Sequence, residues 1–489
     1  MKDRFIKWIA VVLTLLLATA CIEDGELSIY LIKTSDLGRD PLTPELTSHV
    51  RVRVTGPGMK PKVRVTPYKA GGATSVPKVP QGEDRIITVE GLYSENGIAM
   101  SRGRTLPMDI DDGRQSVNLF IARVDRISVA PNNGLPLPRF GHAVMSDPTD
   151  RLFVVGGASK GDVTVPESFR NTPTVIAPTD IAVEDLDCKD SCRTTPRVFG
   201  TAAPYKSGFL FFGGVGEAGA LVDEVDYVNM TAGTVSRSDI SMTPRSEAAS
   251  IIFDDKTVVA GGLDGEGNPV DTMEIIDREG KVTTRTLPDG RYAMAAGRAG
   301  RKGLFFGGFT ASGEISADLY VFDADNDTLS ALSADIKGRA YASAVTTVDD
   351  RLLIIGGLSD EGRATGEINL YDPAVGAICL VGYVSIARWH AAVAPLPNGR
   401  VVVIGGLTGM LPGQPTTDVM VFDPRFKNIN ADCEGISLTS LSGGGEHTGS
   451  PRFLSSAVLM ANGNVAVIGG LGGNREALQQ IEVYVPPED

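Results

Sequence analysis

Aromatic residues make up only 6% of this 489-residue chain, and it holds just four histidines and five cysteines. That leaves little material for metal or redox chemistry. Lysine and arginine total 46 against 60 acids, a formal net charge of −14 with no basic run. Binding nucleic acid requires clustered cations to neutralise phosphates, so no nucleic-acid partner is expected. Beyond residue 20 no apolar stretch approaches the length that spans a bilayer. What the chain does have is 57 glycines, 29 prolines and 42% hydrophobic residues. This balance favours many short strands joined by turns, and an all-β fold is predicted.

The first twenty residues read as an export signal. Lys2, Arg4 and Lys7 precede the apolar run Ile9 to Leu17, which is too short to span a membrane and ends in small residues. Ala18-Thr19-Ala20-Cys21 resembles the bacterial lipobox, whose cysteine is lipidated after cleavage. The resemblance implies a signal peptide over 1–20, a lipidated Cys21 with a short tether over 21–26, and a bacterial cell-envelope address. An outer-membrane lipoprotein facing the periplasm or the surface is expected. The remaining Cys188, Cys192, Cys379 and Cys433 then meet an oxidising compartment. Three pairings are open; the local Cys188–Cys192 pair is the most plausible and leaves Cys379 with Cys433. A lone CxxxC with no second pair or nearby histidine does not complete a zinc site. Neither metal nor cofactor is expected.

Residues 27–125 contain short alternating strands, among them Leu27–Ile32, Val50–Val54, Lys62–Thr66, Arg85–Val89 and Ser116–Ile121. Gly, Pro and Asp separate them, which suggests a small β-sandwich-like domain serving as a platform. Residues 126–489 repeat. Apolar runs end in glycine doublets whose first members are Gly156, Gly213, Gly261, Gly307, Gly356, Gly405 and Gly469. Upstream of each, by 16 or 17 positions, stands Arg139, Arg197, Arg245, Arg291, Arg339, Arg388 or Arg452.

A doublet recurring about every fifty residues resembles the kelch repeat, whose blades form a β-propeller. Seven doublets imply seven blades. The last repeat stops after its third strand, near Tyr484, so Arg126–Ala130 is expected to supply the outer strand and close the ring. In an up-and-down blade the arginines begin the innermost strands, on the face that carries the loops between second and third strands. The Cys188–Cys192 loop and the long interval from Asp423 to Arg452 are expected on that face too, marking it as the binding side.

The arginines have two readings. Each can hold its own blade by bonding a loop carboxylate or carbonyl, or the seven can form an anion-binding rim, since guanidinium pairs bidentately with carboxylate. Adaptor kelch propellers receive acidic peptides on such a face, so the resemblance adds the seven arginines and Trp389 as candidate ligand-binding residues. A copper oxidase would need paired histidines and tyrosines; His142 and His390 lie in different repeats with no assignable tyrosine pair. Asp323-Ala-Asp325-Asn-Asp327 opens like a calcium loop but continues as a hairpin turn would. The expected function is a protein- or glycan-binding module at the envelope, with no catalytic residue assigned. The alternative is a carbohydrate-active enzyme, epimerase- or mutarotase-like, on the same face.

Overall fold

The structure is a computed structural model describing residues 26–34, 40–71, 76–111, 114–131, 134–161, 166–186, 192–425, 428–436, 438–441 and 446–488. Cys21, the signal peptide and Cys188 lie outside the described residues. The chain is all-β and divides into two compact units: residues 1–124 with 179–181, and residues 125–178 with 182–489. Among the described residues no helix is long and apolar enough to cross a membrane.

The first unit contains two sheets. Strand Glu26–Ile32 pairs in parallel with Arg114–Phe120. The larger sheet is built on His49–Thr55, Lys62–Pro67, Gly82–Leu92 and Ala99–Arg104. Alternation sends Leu27, Ile29, Leu31, Val50, Val52, Val54, Ile87 and Val89 into one shared core. Buried Glu90 receives Arg51 at 2.6 Å and Arg53 at 3.3 Å.

Among its described residues the second unit is a succession of seven sheets of four or more strands, one for each glycine doublet, antiparallel except where Thr439–Leu441 joins Ala377–Val384 in parallel. Their second strands are the apolar runs noted in the sequence: Leu152–Gly161, Gly208–Phe212, Lys256–Ala260, Lys302–Phe306, Leu352–Ile355, Val401–Ile404 and Val465–Ile468. They are unbroken in hydrophobicity because both faces are covered. Alternate residues enter the cores on either side of the sheet. Phe209 and Phe211 meet Phe153 and Val155, while Leu210 and Phe212 meet Val259. Likewise Leu352 and Ile354 pack on Leu304 and Phe306, and Leu353 and Ile355 on Val401 and Val403. Outer strands such as Thr234–Arg237 are largely exposed and accordingly polar.

Two backbone devices recur at every doublet. The second glycine's N–H donates to the carbonyl of the next sheet's arginine: Gly157 to Arg197, Gly214 to Arg245, Gly262 to Arg291, Gly308 to Arg339, Gly357 to Arg388, Gly406 to Arg452 and Gly470 to Arg139. The last bond returns the series to its first member. The first glycine adopts φ between +54° and +71°. A Cβ there would lie 2.0–2.9 Å from the same carbonyl in all seven places, so only glycine permits the approach. At the chain's end Ile481–Val485 pairs on its outer side with Arg126–Val129, in the register Tyr484↔Ile127 and Val483↔Ser128.

In the first sheet the third strand is Thr174–Ile176 and the outer one Val183–Asp185. One expectation is corrected here. The long insert leaves strand Asp418–Phe422 at the end remote from the arginines, and there Cys433 is bonded to Cys379, with Cα atoms 5.5 Å apart. Only afterwards does the chain climb back along Ala377–Val384, reaching Glu446–His447 at the arginine end. The insert's cysteine therefore does not belong to the expected loop face. Cys192 is disulfide-bonded as well. The acidic turn after Leu319–Asp323 is a hairpin, its carboxylates paired with Lys302, Arg301 and Lys256.

Candidate functional site

All seven arginines are at least 97% buried, which corrects the anion-binding rim. Each side chain turns into its own sheet. Every Nη1 donates to the carbonyl of the first glycine of its doublet, at 2.9–3.4 Å. Nη2 reaches a residue on the third strand: Asp226 from Arg197 at 2.7 Å, Glu274 from Arg245 at 2.9 Å, Asp418 from Arg388, Asn369 from Arg339 and Glu482 from Arg452 at 3.0 Å. Arg139 bonds Thr174 at 2.8 Å, and Arg291 lies 4.6 Å over the ring of Tyr320. Desolvation lowers the guanidinium pKa of Arg139, Arg197 and Arg339 to about 10. Bonded through Nη1 to a carbonyl of the second strand, and in most sheets through Nη2 to a third-strand side chain, these groups clasp strands one, two and three together. No ligand can reach them without opening that clasp.

The residues that do face open space come two positions later. Gly141, Phe199, Glu247, Ala293, Tyr341, His390 and Leu454 all adopt left-handed backbone, with φ between +49° and +64°. None is β-branched, and only Gly141 escapes the steric cost of that region. Their backbones interlock: the N–H of Phe199 donates to Gly141 at 2.7 Å, Ala293 to Glu247 at 3.3 Å and Tyr341 to Ala293 at 3.0 Å. His390 likewise donates to Tyr341 at 3.2 Å and Leu454 to His390 at 3.4 Å. The sequence places these residues at a fixed offset from a conspicuous arginine, but nothing in their side-chain types announces a left-handed backbone.

Six of the seven line a cavity of about 830 Å³, with small Ala248, Ala342, Ala391, Ser343, Ser455 and Ser456 beneath them. Residues at or just before the first strands of all seven sheets line it, as the channel mouth of a propeller would be lined. Among the described lining residues Glu247 is the one carboxylate. It accepts a hydrogen bond from Tyr341 Oη at 3.1 Å, and burial raises its pKa. Burial and the neighbouring Glu247 carboxylate raise the Tyr341 phenol as well. Burial lowers His390 to about 4, and burial together with Arg139 lowers His142 to about 3, so both imidazoles are neutral near pH 7. Aromatic rings continue around the rim: Tyr292 stacks on Phe309 at 5.1 Å, Phe309 meets Tyr341 at 5.7 Å, and His390 lies 4.3 Å from Tyr341.

Trp389 is 3% exposed, packed among Leu407, Leu358 and Phe453, so its indole belongs to a buried cluster and is not an open contact surface. Its ring stands edge-on to Tyr341 at 6.4 Å. The loops after the fifth and sixth doublets zip together, Ala364 N–H donating to Gly409 and Leu411 N–H to Gly362. They leave Met410 and Leu411 57% and 59% exposed on this face. A second cavity of about 340 Å³ lies between the sixth and seventh sheets. Tyr484 and Asp125 there bond each other at 2.5 Å in the closing strand pair, so it serves the fold. Among the described residues no group of three or more His, Cys, Asp or Glu could hold a metal ion.

Comparison with known proteins agrees with this architecture. Residues 244–282, the span of the third sheet beginning at Arg245, match the Kelch motif. The chain is also 26% identical over 162 residues to the Ras guanine nucleotide exchange factor F of Dictyostelium discoideum. That similarity covers 30% of this chain and 14% of the longer protein.

Proposed function

We propose that residues 125–489 are a seven-bladed kelch propeller that works as a binding module, with the arginine-end mouth of the channel as its binding face. The observation that carries this reading is the set of left-handed positions two residues after each arginine. One backbone geometry repeats there while the side chain changes from phenylalanine to glutamate, tyrosine, histidine and leucine. Repeated geometry with varied chemistry around a cavity is how a rigid scaffold displays a recognition surface. The exposed Met410 and Leu411 beside it, and the kelch match, favour a protein partner. A glycosidase-type reaction would call for two carboxylates, whereas the described lining supplies Glu247 alone. The envelope address through a lipidated Cys21 completes the proposal; Cys21→Ser should then move the protein from the membrane to the soluble fraction.

The binding face is tested by affinity capture from solubilised envelope, comparing wild type with the double variant Phe199→Asn, Leu454→Asn. Asparagine tolerates left-handed backbone, so both proteins should keep the fold, which melting curves verify. A species held by wild type and lost by the variant supports the mouth as the binding face. A species captured equally by both overturns it.

A further inference from the structure

We infer that the mouth receives the ammonium group of a cationic ligand, with Glu247 as its counter-charge and aromatic rings as its walls. This rests on the mouth being the binding face and names the ligand chemistry it would select. The fold treats its other buried acids differently. Asp226, Glu274, Asp418 and Glu482 each have an arginine within the sheet. Among the described residues Glu247 has no such ion pair: its hydrogen-bond partner is the Tyr341 hydroxyl, at 3.1 Å. A carboxylate set in a cavity without its counter-ion costs free energy that a cation arriving from outside recovers.

The surroundings exclude the opposite polarity. The neighbouring guanidinium groups are buried inside their own sheets and line no part of the cavity, and both lining histidines are held neutral. An anion would therefore meet Glu247 with nothing positive to offset it. A metal ion would need several oxygen or nitrogen ligands, and the described lining supplies one carboxylate. An ammonium needs less. One carboxylate, one phenol oxygen and the faces of Tyr341 and Phe199 suffice, since cations are attracted to aromatic faces. A cavity of about 830 Å³ with alanine and serine beneath the rim has room for an alkyl stem behind that charge. The same chemistry is offered by a free amine or by a lysine side chain of a partner.

Full-length protein is titrated with n-butylammonium, with isosteric n-butanol and n-butyrate as controls, and with a pentapeptide carrying one lysine among glycines. The signal is Trp389 emission, and calorimetry provides an independent readout. The expected result is saturable binding of the two amines and none of butanol or butyrate. Glu247→Gln should weaken amine binding about tenfold or more, and Tyr341→Phe by a smaller factor. Both variants are checked by melting curves. Tighter binding of the peptide than of butylammonium assigns the ammonium to a partner's lysine; equal binding assigns it to free amines. No saturable amine binding up to about 10 mM overturns the inference. So does equal affinity in Glu247→Gln, or butyrate binding as well as butylammonium. Because the face itself is tested by the Phe199 and Leu454 variant, a failed amine titration with intact mouth-dependent capture removes only the ligand assignment.

Discussion

Gly307→Ala tests the close approach between neighbouring sheets, and Gly313→Ala in the following loop is its control. Both glycines have left-handed backbone, φ +71° and +81°. Both substitutions therefore incur a similar conformational cost of about 1 kcal/mol. They differ in what the new methyl meets. At Gly313 there is nothing within 4 Å, whereas at Gly307 the Cβ would lie 2.0 Å from the carbonyl oxygen of Arg339. Backbone cannot rotate away as a side-chain tip can, so the two sheets must part by more than an ångström. Overpacking of this kind costs about 1–3 kcal/mol. The same displacement stretches the bond from Gly308 N–H to Arg339 at 3.0 Å and the bond from Arg291 Nη1 to Gly307 at 3.0 Å. Leaving either buried group unsatisfied adds about 1–3 kcal/mol. Gly307→Ala should therefore destabilise by about 3–7 kcal/mol in urea titration, against about 1 kcal/mol for Gly313→Ala. Equal midpoints for the two variants, with unchanged slopes, would refute the steric argument.

Arg452→Met leaves Glu482 buried without its charge partner at 3.0 Å, and should cost about 3–5 kcal/mol in the same titration. Adding Glu482→Gln should recover part of that loss; no recovery would mean the pair is not coupled. Reducing Cys379–Cys433, which closes a 54-residue separation, should lower stability by about 4 kcal/mol on loop-entropy grounds, read as a drop in melting temperature. His390, lowered by burial to about 4, and His142, lowered to about 3, are neutral in the fold but protonate in the unfolded chain. Stability should therefore fall as pH drops from about 6.5 toward 4, and His390→Asn should flatten that slope. Glu247 has the opposite sign: its raised pKa favours the fold while protonated and costs stability once ionised. Glu247→Gln should melt higher than wild type at pH 7, the difference closing near pH 4.

The repeated sheets were legible because their signals are backbone necessities. A glycine doublet is required where a Cβ would strike a carbonyl, and an unbroken apolar run is required where a strand is covered on both faces. The direction of the arginines was not legible, since a side chain's identity does not say whether it turns inward or out. Its partner did leave a trace, thirteen residues after the first glycine, as Asp226, Glu274, Asn369, Asp418 and Glu482. Tyr320 in the fourth sheet and the longer spacing to Thr174 in the first interrupt that series and hide it. The end at which Cys433 lies was misjudged because strand pairing, not loop length, sets where an insert emerges. Glu247 and Tyr341 were invisible as a pair: they are 94 residues apart and meet only across the ring.

The left-handed positions contain an argument of their own. Glycine would occupy all seven without strain, and Gly141 does so. The other six retain a side chain at a cost of about 1–2 kcal/mol each, or about 6–12 kcal/mol together. That is comparable with the whole stability of an ordinary domain, about 5–15 kcal/mol. Phe199, Tyr341 and Leu454 recover part of that cost by packing against the buried cluster of Phe140, Trp389, Leu407 and Phe453, whereas Glu247 and His390 are not among its apolar side chains. The link between sheets does not need these side chains, since it is made by backbone N–H and carbonyl groups that glycine also possesses. The scaffold's own requirements are met by arginine and the glycine doublet, both fixed in every repeat. Strain kept with polar side chains at Glu247 and His390, both lining the cavity, marks those two as the part of the repeat that meets something else.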